Sequence, residues 1–180
     1  MYSRTTVAIA VGLGALLIAG LIVLSRLVDT GPAPAAGPTS TPTSTSAAPR
    51  TGPVALVPVD APDAGSPGCA ALVAALPEAL TTGGSRLGRL PLAQPAPPAT
   101  AAWGDAGDPV VLRCGLARPP ELTESSGLRE ISGVRWLPVS TDGRSTWYVV
   151  QRSVYVALTL PGNIGTGPIQ EISETVGKAL

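Results

Sequence analysis

The residues best equipped for chemistry lie together in one short stretch, WGDAGDPVVLRCG, at positions 103–115. The stretch contains two carboxylates, Asp105 and Asp108, followed by Arg113 and Cys114. Paired carboxylates can exchange protons with a substrate, and a thiolate can attack one as a nucleophile. Two interpretations follow from these residue types: an active site, or the disulfide-bonded part of a small fold.

The amino-acid composition argues against most catalytic machinery. The chain contains no histidine, which is the usual general base near neutral pH and the commonest metal ligand. Its two cysteines are too few for a zinc site built from four thiolates. Twelve basic and twelve acidic residues give zero net charge, which does not suit a nucleic-acid partner. We therefore expect a protein without enzymatic activity, metal, cofactor or nucleic-acid partner, and carboxylate-dependent catalysis is the least favoured alternative.

The other polar and aromatic residues of interest also have structural explanations. The GDAGDP segment is typical of a tight turn, and two carboxylates are too few to hold calcium. In a chain without phenylalanine, the three tryptophans can serve as core aromatics or line a ligand groove. Arg113 precedes a cysteine on a predicted strand, so it should point to the opposite sheet face, into solvent or toward a partner. The candidate ligand or partner surface consists of Trp103, Asp105, Arg113, Trp136 and Trp147.

The N-terminal region is predicted to anchor the protein in a membrane. Residues 7–24 read VAIAVGLGALLIAGLIVL, and the span can extend to residue 28. At about 1.5 Å per residue, the 18-residue run alone spans roughly 27 Å as a helix, close to the thickness of a bilayer core. Arg4 places the short segment 1–6 in the cytoplasm by the positive-inside rule. A cleaved signal peptide is the rival interpretation, but the apolar run exceeds the usual signal length. The membrane anchor and the cleaved signal peptide both place the C-terminal part outside the cytoplasm. The membrane anchor makes this a single-pass cell-membrane protein.

Residues 29–68 are predicted to form a disordered linker, because they are rich in proline, alanine, serine and threonine. Such a composition buries too little apolar surface to offset the entropy of ordering. Residues 69–180 are then the extracytoplasmic domain. Its start, CAALVAALPEAL, has Leu72, Val73, Leu76 and Leu80 at helical spacing, with Pro77 kinking the helix and residues 81–84 ending it.

Apolar alternation predicts strands across the middle of this domain and a helix at its end. The best strand candidates are residues 109–114, 133–139, 147–150 and 153–160, and segments 86–92 and 101–103 are further candidates. Asp142 and Gly143 form the turn signal of a hairpin. Residues 168–180 have the apolar spacing of an amphipathic helix. The predicted fold is α+β: an antiparallel meander of about four to five strands, with N- and C-terminal helices packed on it.

Cys69 and Cys114 are the only cysteines, and both fall in the domain placed outside the cytoplasm. A single pair in an oxidising compartment is most simply a disulfide. The alternative, a redox-active thiol, would need a CxxC pair or a microenvironment that lowers a thiol pKa, and the sequence signals neither. The sequence therefore favours a structural bond between the first helix and a strand.

Several of these motifs also resemble a known family. CAALVAALPEAL, AWGDAGDPVVLRCG, GVRWLPV and TWYVVQRSVYVALTLPG together are similar to the actinobacterial family called domain of unknown function 3515. The resemblance implies one transmembrane segment, a proline-rich stretch and an extracytoplasmic domain, and it implies no activity. In the family pattern proline directly follows the tryptophan–glycine–aspartate motif, whereas here Ala106, Gly107 and Asp108 intervene.

The sequence thus predicts a membrane-anchored protein of the cell envelope that binds another envelope or membrane protein without catalysing a reaction. A binding domain for a cell-wall glycan or lipid precursor is the second hypothesis. It requires an open groove lined by a tryptophan, with arginines nearby.

Overall fold

A computed structural model describes residue 50 and residues 52–180. The predicted segments 1–6 and 7–28, and much of the predicted linker, lie outside the described residues. Within the described part of the chain, no helix has the length and apolar character needed to cross a membrane.

The described chain contains two helices and eight strands, in an order that places all the strands between the helices. Helix α1 spans Pro67–Ala75 and helix α2 spans Gly167–Ala179. The strands are β1 (Ala79–Thr82), β2 (Ser85–Leu90), β3 (Thr100–Asp105), β4 (Asp108–Leu116), β5 (Arg129–Ile131), β6 (Val134–Thr141), β7 (Arg144–Val150) and β8 (Tyr155–Pro161).

All the strands join in one antiparallel sheet of order β1-β2-β3-β4-β8-β7-β6-β5. The predicted α+β class is confirmed, but the predicted number of four to five strands is wrong, because the sheet has eight. The two edge strands, β1 and β5, have only four and three residues, too few to display a clear alternation. Strand β8, the last strand in sequence, lies at the centre of the sheet between β4 and β7.

The first helix is shorter than its apolar spacing predicted. The Ser66 hydroxyl accepts a hydrogen bond from the Cys69 N–H at 3.3 Å, which caps the N-terminus. The helix ends at Ala75, and Leu76 has extended backbone angles. The cause is Pro77, which disfavours the helical conformation in the residue before it. Leu80 therefore belongs to strand β1 and not to the helix, although it is fully buried.

The predicted Asp142–Gly143 turn joins β6 and β7. Thr141 pairs with Arg144, which leaves a two-residue loop. Asp142 and Gly143 both have positive φ, 48° and 74°, as a type I′ turn requires. The local sequence therefore sets the register of this hairpin.

Both helices contribute to one apolar core on the same face of the sheet. Helix α2 buries Ile169, Ile172 and Val176. Three strand residues, Trp136 on β6, Val149 on β7 and Leu158 on β8, are fully buried in the same core. The predicted amphipathic C-terminal helix thus covers the sheet with its apolar side.

A segment outside the helices and strands, residues 52–63, lies against the sheet; we call it the strap. Val54 is only 4 % exposed and packs with Leu90 and Ala102. The Val54 N–H donates to the Pro91 carbonyl, and the Val54 carbonyl accepts from the Ala93 N–H. The packed region therefore begins before Cys69, which was the predicted domain boundary, because the strap supplies apolar side chains that cover this part of the sheet.

The predicted disulfide between Cys69 and Cys114 is present, and both residues are fully buried. It joins helix α1 to strand β4 with a Cα–Cα distance of 5.6 Å across 45 positions of sequence. The bond fixes the first helix to the middle of the sheet.

Candidate functional site

A candidate site is a cleft beside strands β2 and β3, which we call the β2–β3 cleft. Strand β2 begins at Ser85 and β3 continues to Asp105, yet their ladder contains only the pairs Arg89–Trp103 and Leu90–Ala102. The cleft has a volume of about 440 Å³, within the range of small-ligand pockets. It is lined by Arg86, Leu87, Gly88, Arg89, Leu90, Trp103, Gly104, Asp105, Asp108, Val110, Asn163 and Ile164.

Trp103 forms part of the structural floor of the cleft. Its side chain is fully buried, and its indole N–H donates to the Pro77 carbonyl at 2.9 Å. The Arg89 guanidinium carbon lies 5.4 Å from the centre of the indole ring, a cation–π arrangement. The indole therefore holds Arg89 in place and is not free to stack against a sugar.

Asp105 and Asp108 face each other across a two-residue turn, as the GDAGDP sequence indicates. An oxygen of Asp105 accepts the Gly107 N–H at 2.7 Å and lies 3.4 Å from Nε of Arg50. Asp108 forms an ion pair with Arg144. The Gly107 hydrogen bond is the main cause that lowers the pKa of Asp105; the charge of Arg50 also lowers it, and partial desolvation opposes both. Asp105 is thus held in its charged form.

Arg113 does point away from the disulfide, as alternation along β4 predicted. It is half-buried beside the strap, where its Nη2 donates to the Val57 carbonyl at 3.2 Å. Its Nη1 is buried and has no hydrogen-bond partner within the described part of the chain. Burial lowers the pKa of this guanidinium.

The remaining two candidates lie elsewhere on the sheet. Trp136 is fully buried, and its indole N–H donates to the Ser173 hydroxyl at 2.8 Å. Trp147 is half-buried and donates to Ser145 at 3.2 Å. Strand β6, which carries Trp136, is four strands away from β3, or roughly 19 Å at the usual spacing. The structure therefore brings Trp103 and Asp105 together and leaves Arg113, Trp136 and Trp147 outside the cleft.

Sequence reasoning missed the two arginines of the cleft, Arg86 and Arg89, and the loop residues Asn163 and Ile164. The SRLGRL sequence has no recognised ligand motif, and about 75 positions separate it from the loop. These residues meet only because β8 returns to the centre of the sheet. Their proximity depends on topology, which local patterns do not encode.

No group of three or more histidine, cysteine, aspartate and glutamate side chains is placed to hold a metal ion in the region that the structure describes.

The fold and the cleft define a small α+β domain with a concave site beside strands β2 and β3. A family model described as "Protein of unknown function (DUF3515)" matches residues 11–180, so the chain belongs to this family. The family resemblance noted from the sequence motifs is thereby confirmed. The searches of curated proteins and of solved structures found no match to the chain.

Proposed function

We propose that this protein is a membrane-anchored cell-envelope protein whose α+β domain is a non-enzymatic binding or assembly module. We further propose that the β2–β3 cleft is its binding site. The observation that carries the proposal is the combination of an apolar lining with two arginines, Arg86 and Arg89, at one large concavity. Such a combination of apolar lining and few polar groups is typical of binding sites.

The state of the acidic residues supports binding in preference to catalysis. Asp105 and Asp108 lie in a partly exposed turn, and each has an arginine beside it. A carboxyl group that donates a proton near neutral pH needs a raised pKa, whereas the pKa of Asp105 is lowered. The turn thus favours a charged Asp105 carboxylate and an ion-paired Asp108 at the cleft rim.

The charges of the cleft indicate the kind of partner. Among the described residues, Arg86 and Arg89 have no salt-bridge partner, while the two aspartates are paired with other arginines. Leu87 and Ile164 add apolar surface next to these free cations. We infer that the occupant is an acidic segment of an envelope or membrane protein that also presents apolar side chains.

A glycan or lipid precursor is the second candidate, because a tryptophan and two arginines do meet in the cleft. A glycan whose sugar ring stacks on Trp103 is disfavoured, since the indole is fully buried beneath Arg89. An anionic lipid precursor bound through the arginines is the form that fits the cleft.

The proposed location follows from the sequence outside the described residues. The predicted span 7–28, with its uncharged apolar run at 7–24, is long enough to cross a bilayer, and the proline-rich stretch after it is suited to hold a domain away from the membrane surface. In this arrangement the N-terminal helix contacts the membrane, and the domain meets its partner in the envelope.

The test is photo-cross-linking in intact cells from two positions of the full-length protein. Benzoylphenylalanine replaces Asn163 at the cleft in one variant, which keeps both cleft arginines, and Arg129 in the other. Arg129 is an exposed arginine on β5, at the opposite edge of the sheet. We expect a saturable protein adduct from position 163 only, and Arg89→Asp in the same chain should reduce its yield at least tenfold.

The outcomes separate the two candidates. An adduct at position 163 that is lipid or glycan, and that Arg89→Asp removes, replaces the protein partner with the precursor. Equal adducts from both positions, or an adduct that Arg89→Asp leaves unchanged, refute the cleft as the binding site.

A further inference from the structure

Arg113 has an unusual environment that the β2–β3 cleft does not explain. Among the described residues, its Nη1 is the one buried side-chain nitrogen or oxygen atom without a hydrogen-bond partner. Buried polar groups in folded proteins almost always have a partner, because an unpaired one loses its hydration without compensation. An unpaired donor of this kind points to a ligand.

The side chain lines two cavities, each of about 300 Å³. One also involves Cys114 and the proline-rich segment 95–98. The other lies between the strap and the sheet and has the more polar lining; we call it the Arg113 cavity. Arg144 and Thr159 also line it, and Val54 and Leu56 of the strap form one side. None of its lining residues contributes to the β2–β3 cleft. The remaining lining residues are Ala55, Ala106, Gly107, Pro109 and Val111.

The balance of charge around the Arg113 cavity is one unit positive. Arg144 is paired with Asp108, and Arg50, which contacts Gly107 of the lining, is paired with Asp105. Arg113 has no acidic partner among the described residues. A single carboxylate would neutralise this excess, and a guanidinium binds a carboxylate with well-directed hydrogen bonds.

We propose that the Arg113 cavity binds the carboxylate group of a small molecule or of a peptide terminus. Nη1 of Arg113 donates to the carboxylate, while Nη2 keeps its hydrogen bond to the Val57 carbonyl. Arg144, whose charge is balanced by Asp108, also lines the cavity and can donate a hydrogen bond to the ligand. The apolar side chains of Val54, Leu56 and Val111 contact the part of the ligand next to the carboxylate.

The Nη1 atom of Arg113 is covered in the structure, although the cavity itself is open to solvent. The Val57 carbonyl of the strap is hydrogen-bonded to the same guanidinium. Contact between a ligand and Nη1 therefore requires a local movement of the strap or of the Arg113 side chain. Val57 is 76 % exposed, so the outward side of the strap has little packing that would resist such a movement.

The test is an NMR titration of the full-length protein in detergent micelles, observing the arginine Nε–H signals. The probes are N-acetylalanine, which mimics a peptide terminus, and propionate, which represents a free small acid. The controls are the neutral N-acetylalanine amide and inorganic phosphate. We expect a saturable shift of the Arg113 signal with a carboxylate, and binding at least tenfold weaker for the amide and for phosphate.

Two substitutions test whether Arg113 and Arg144 contribute to carboxylate binding, and a third, at Arg135, is the control. Arg113→Gln should weaken carboxylate binding at least tenfold and Arg144→Gln about threefold. Arg135→Gln removes an exposed arginine that contacts Glu130 and Gln151, and should leave binding unchanged. If Arg113→Gln does not fold, Arg144→Gln still tests the site.

Each outcome decides the proposal. Tighter binding of N-acetylalanine than of propionate identifies a peptide terminus, and the reverse identifies a small acid. The proposal is overturned if no probe shifts Arg113, if the amide or phosphate binds as well as the carboxylates, or if Arg144→Gln has no effect.

Discussion

The indole N–H of Trp136 donates a hydrogen bond of 2.8 Å to the hydroxyl of Ser173, and both residues are fully buried. The Ser173 hydroxyl in turn donates to the Ile169 carbonyl at 2.6 Å. This chain of two bonds joins strand β6 to helix α2 inside the apolar core. It satisfies the polar atom of a large buried aromatic, which otherwise loses its water without compensation.

Replacing Ser173 with alanine should lower the free energy of unfolding by about 1–3 kcal/mol, because the Trp136 N–H is then buried without an acceptor. The measurement is urea denaturation. Thr175→Ala is the control, since Thr175 also donates to a carbonyl four residues earlier but accepts nothing from a tryptophan. The loss in the Trp136→Phe/Ser173→Ala double variant should be smaller than the sum of the two single losses. Additive losses, or equal losses at positions 173 and 175, would contradict this account.

The Cys69–Cys114 bond should contribute a large part of the domain's stability. It closes a loop across 45 positions, which removes unfolded-state entropy equivalent to about 4 kcal/mol in the chain-entropy model. Reduction by dithiothreitol should lower the denaturation midpoint of the natural protein. A Cys69→Ala/Cys114→Ala variant should start at the lower midpoint and not respond to the reductant. An identical midpoint with and without the disulfide would refute the prediction.

Three glycine-to-alanine variants should show a graded loss of stability. Gly115 has a φ of +82°, and a Cβ there would overlap the backbone of Asp63 and Ala64, so Gly115→Ala should cost more than about 2 kcal/mol. Gly133 has a φ of +73° but open space around it, so only the backbone cost of about 1–2 kcal/mol applies. Gly88 has neither constraint and should tolerate alanine. Thermal denaturation of the three variants checks the order, and equal losses at 115 and 133 would show that the strap contact has no role.

Asp105 should titrate below the usual range of aspartate. The folded state lowers its pKa chiefly through the Gly107 N–H, with a smaller contribution from the charge of Arg50. Its contribution to stability is therefore present above the unfolded-state pKa and is lost as pH falls through the folded-state pKa. Carbon-13 NMR of the side-chain carboxyl measures the titration. Arg50→Gln should restore only part of the shift, and a pKa at or above the usual range in the natural protein would contradict the geometry.

Local sequence patterns predicted much of the fold where one physical signal dominated. The Asp142–Gly143 turn fixed the β6–β7 hairpin because both positions require positive φ. The last helix followed from the apolar spacing of Ile169, Ile172 and Val176. The disulfide followed from there being a single pair of cysteines in a domain placed outside the cytoplasm.

The sequence-based predictions that differ from the structure also have physical explanations. Leu80 fits a helical period, but Pro77 ends the helix first and the residue enters an edge strand. The strap looks like linker by composition, and only its contact with Leu90 and Ala102 places Val54 in a core. The cleft was not predictable because Arg89 meets Ile164 through the return of β8, which no local pattern specifies.

The most direct measurement of the central proposal is a hydrogen-exchange footprint of the full-length protein in nanodiscs, with and without the molecule captured from position 163. Binding in the β2–β3 cleft should slow exchange of the amides of Arg86, Gly88 and Asp105 at least tenfold, while those of β5 stay unchanged, and the bound molecule should be recovered chemically intact. Protection confined to other elements, or recovery of a chemically altered molecule, would contradict a non-enzymatic binding module with its site in this cleft.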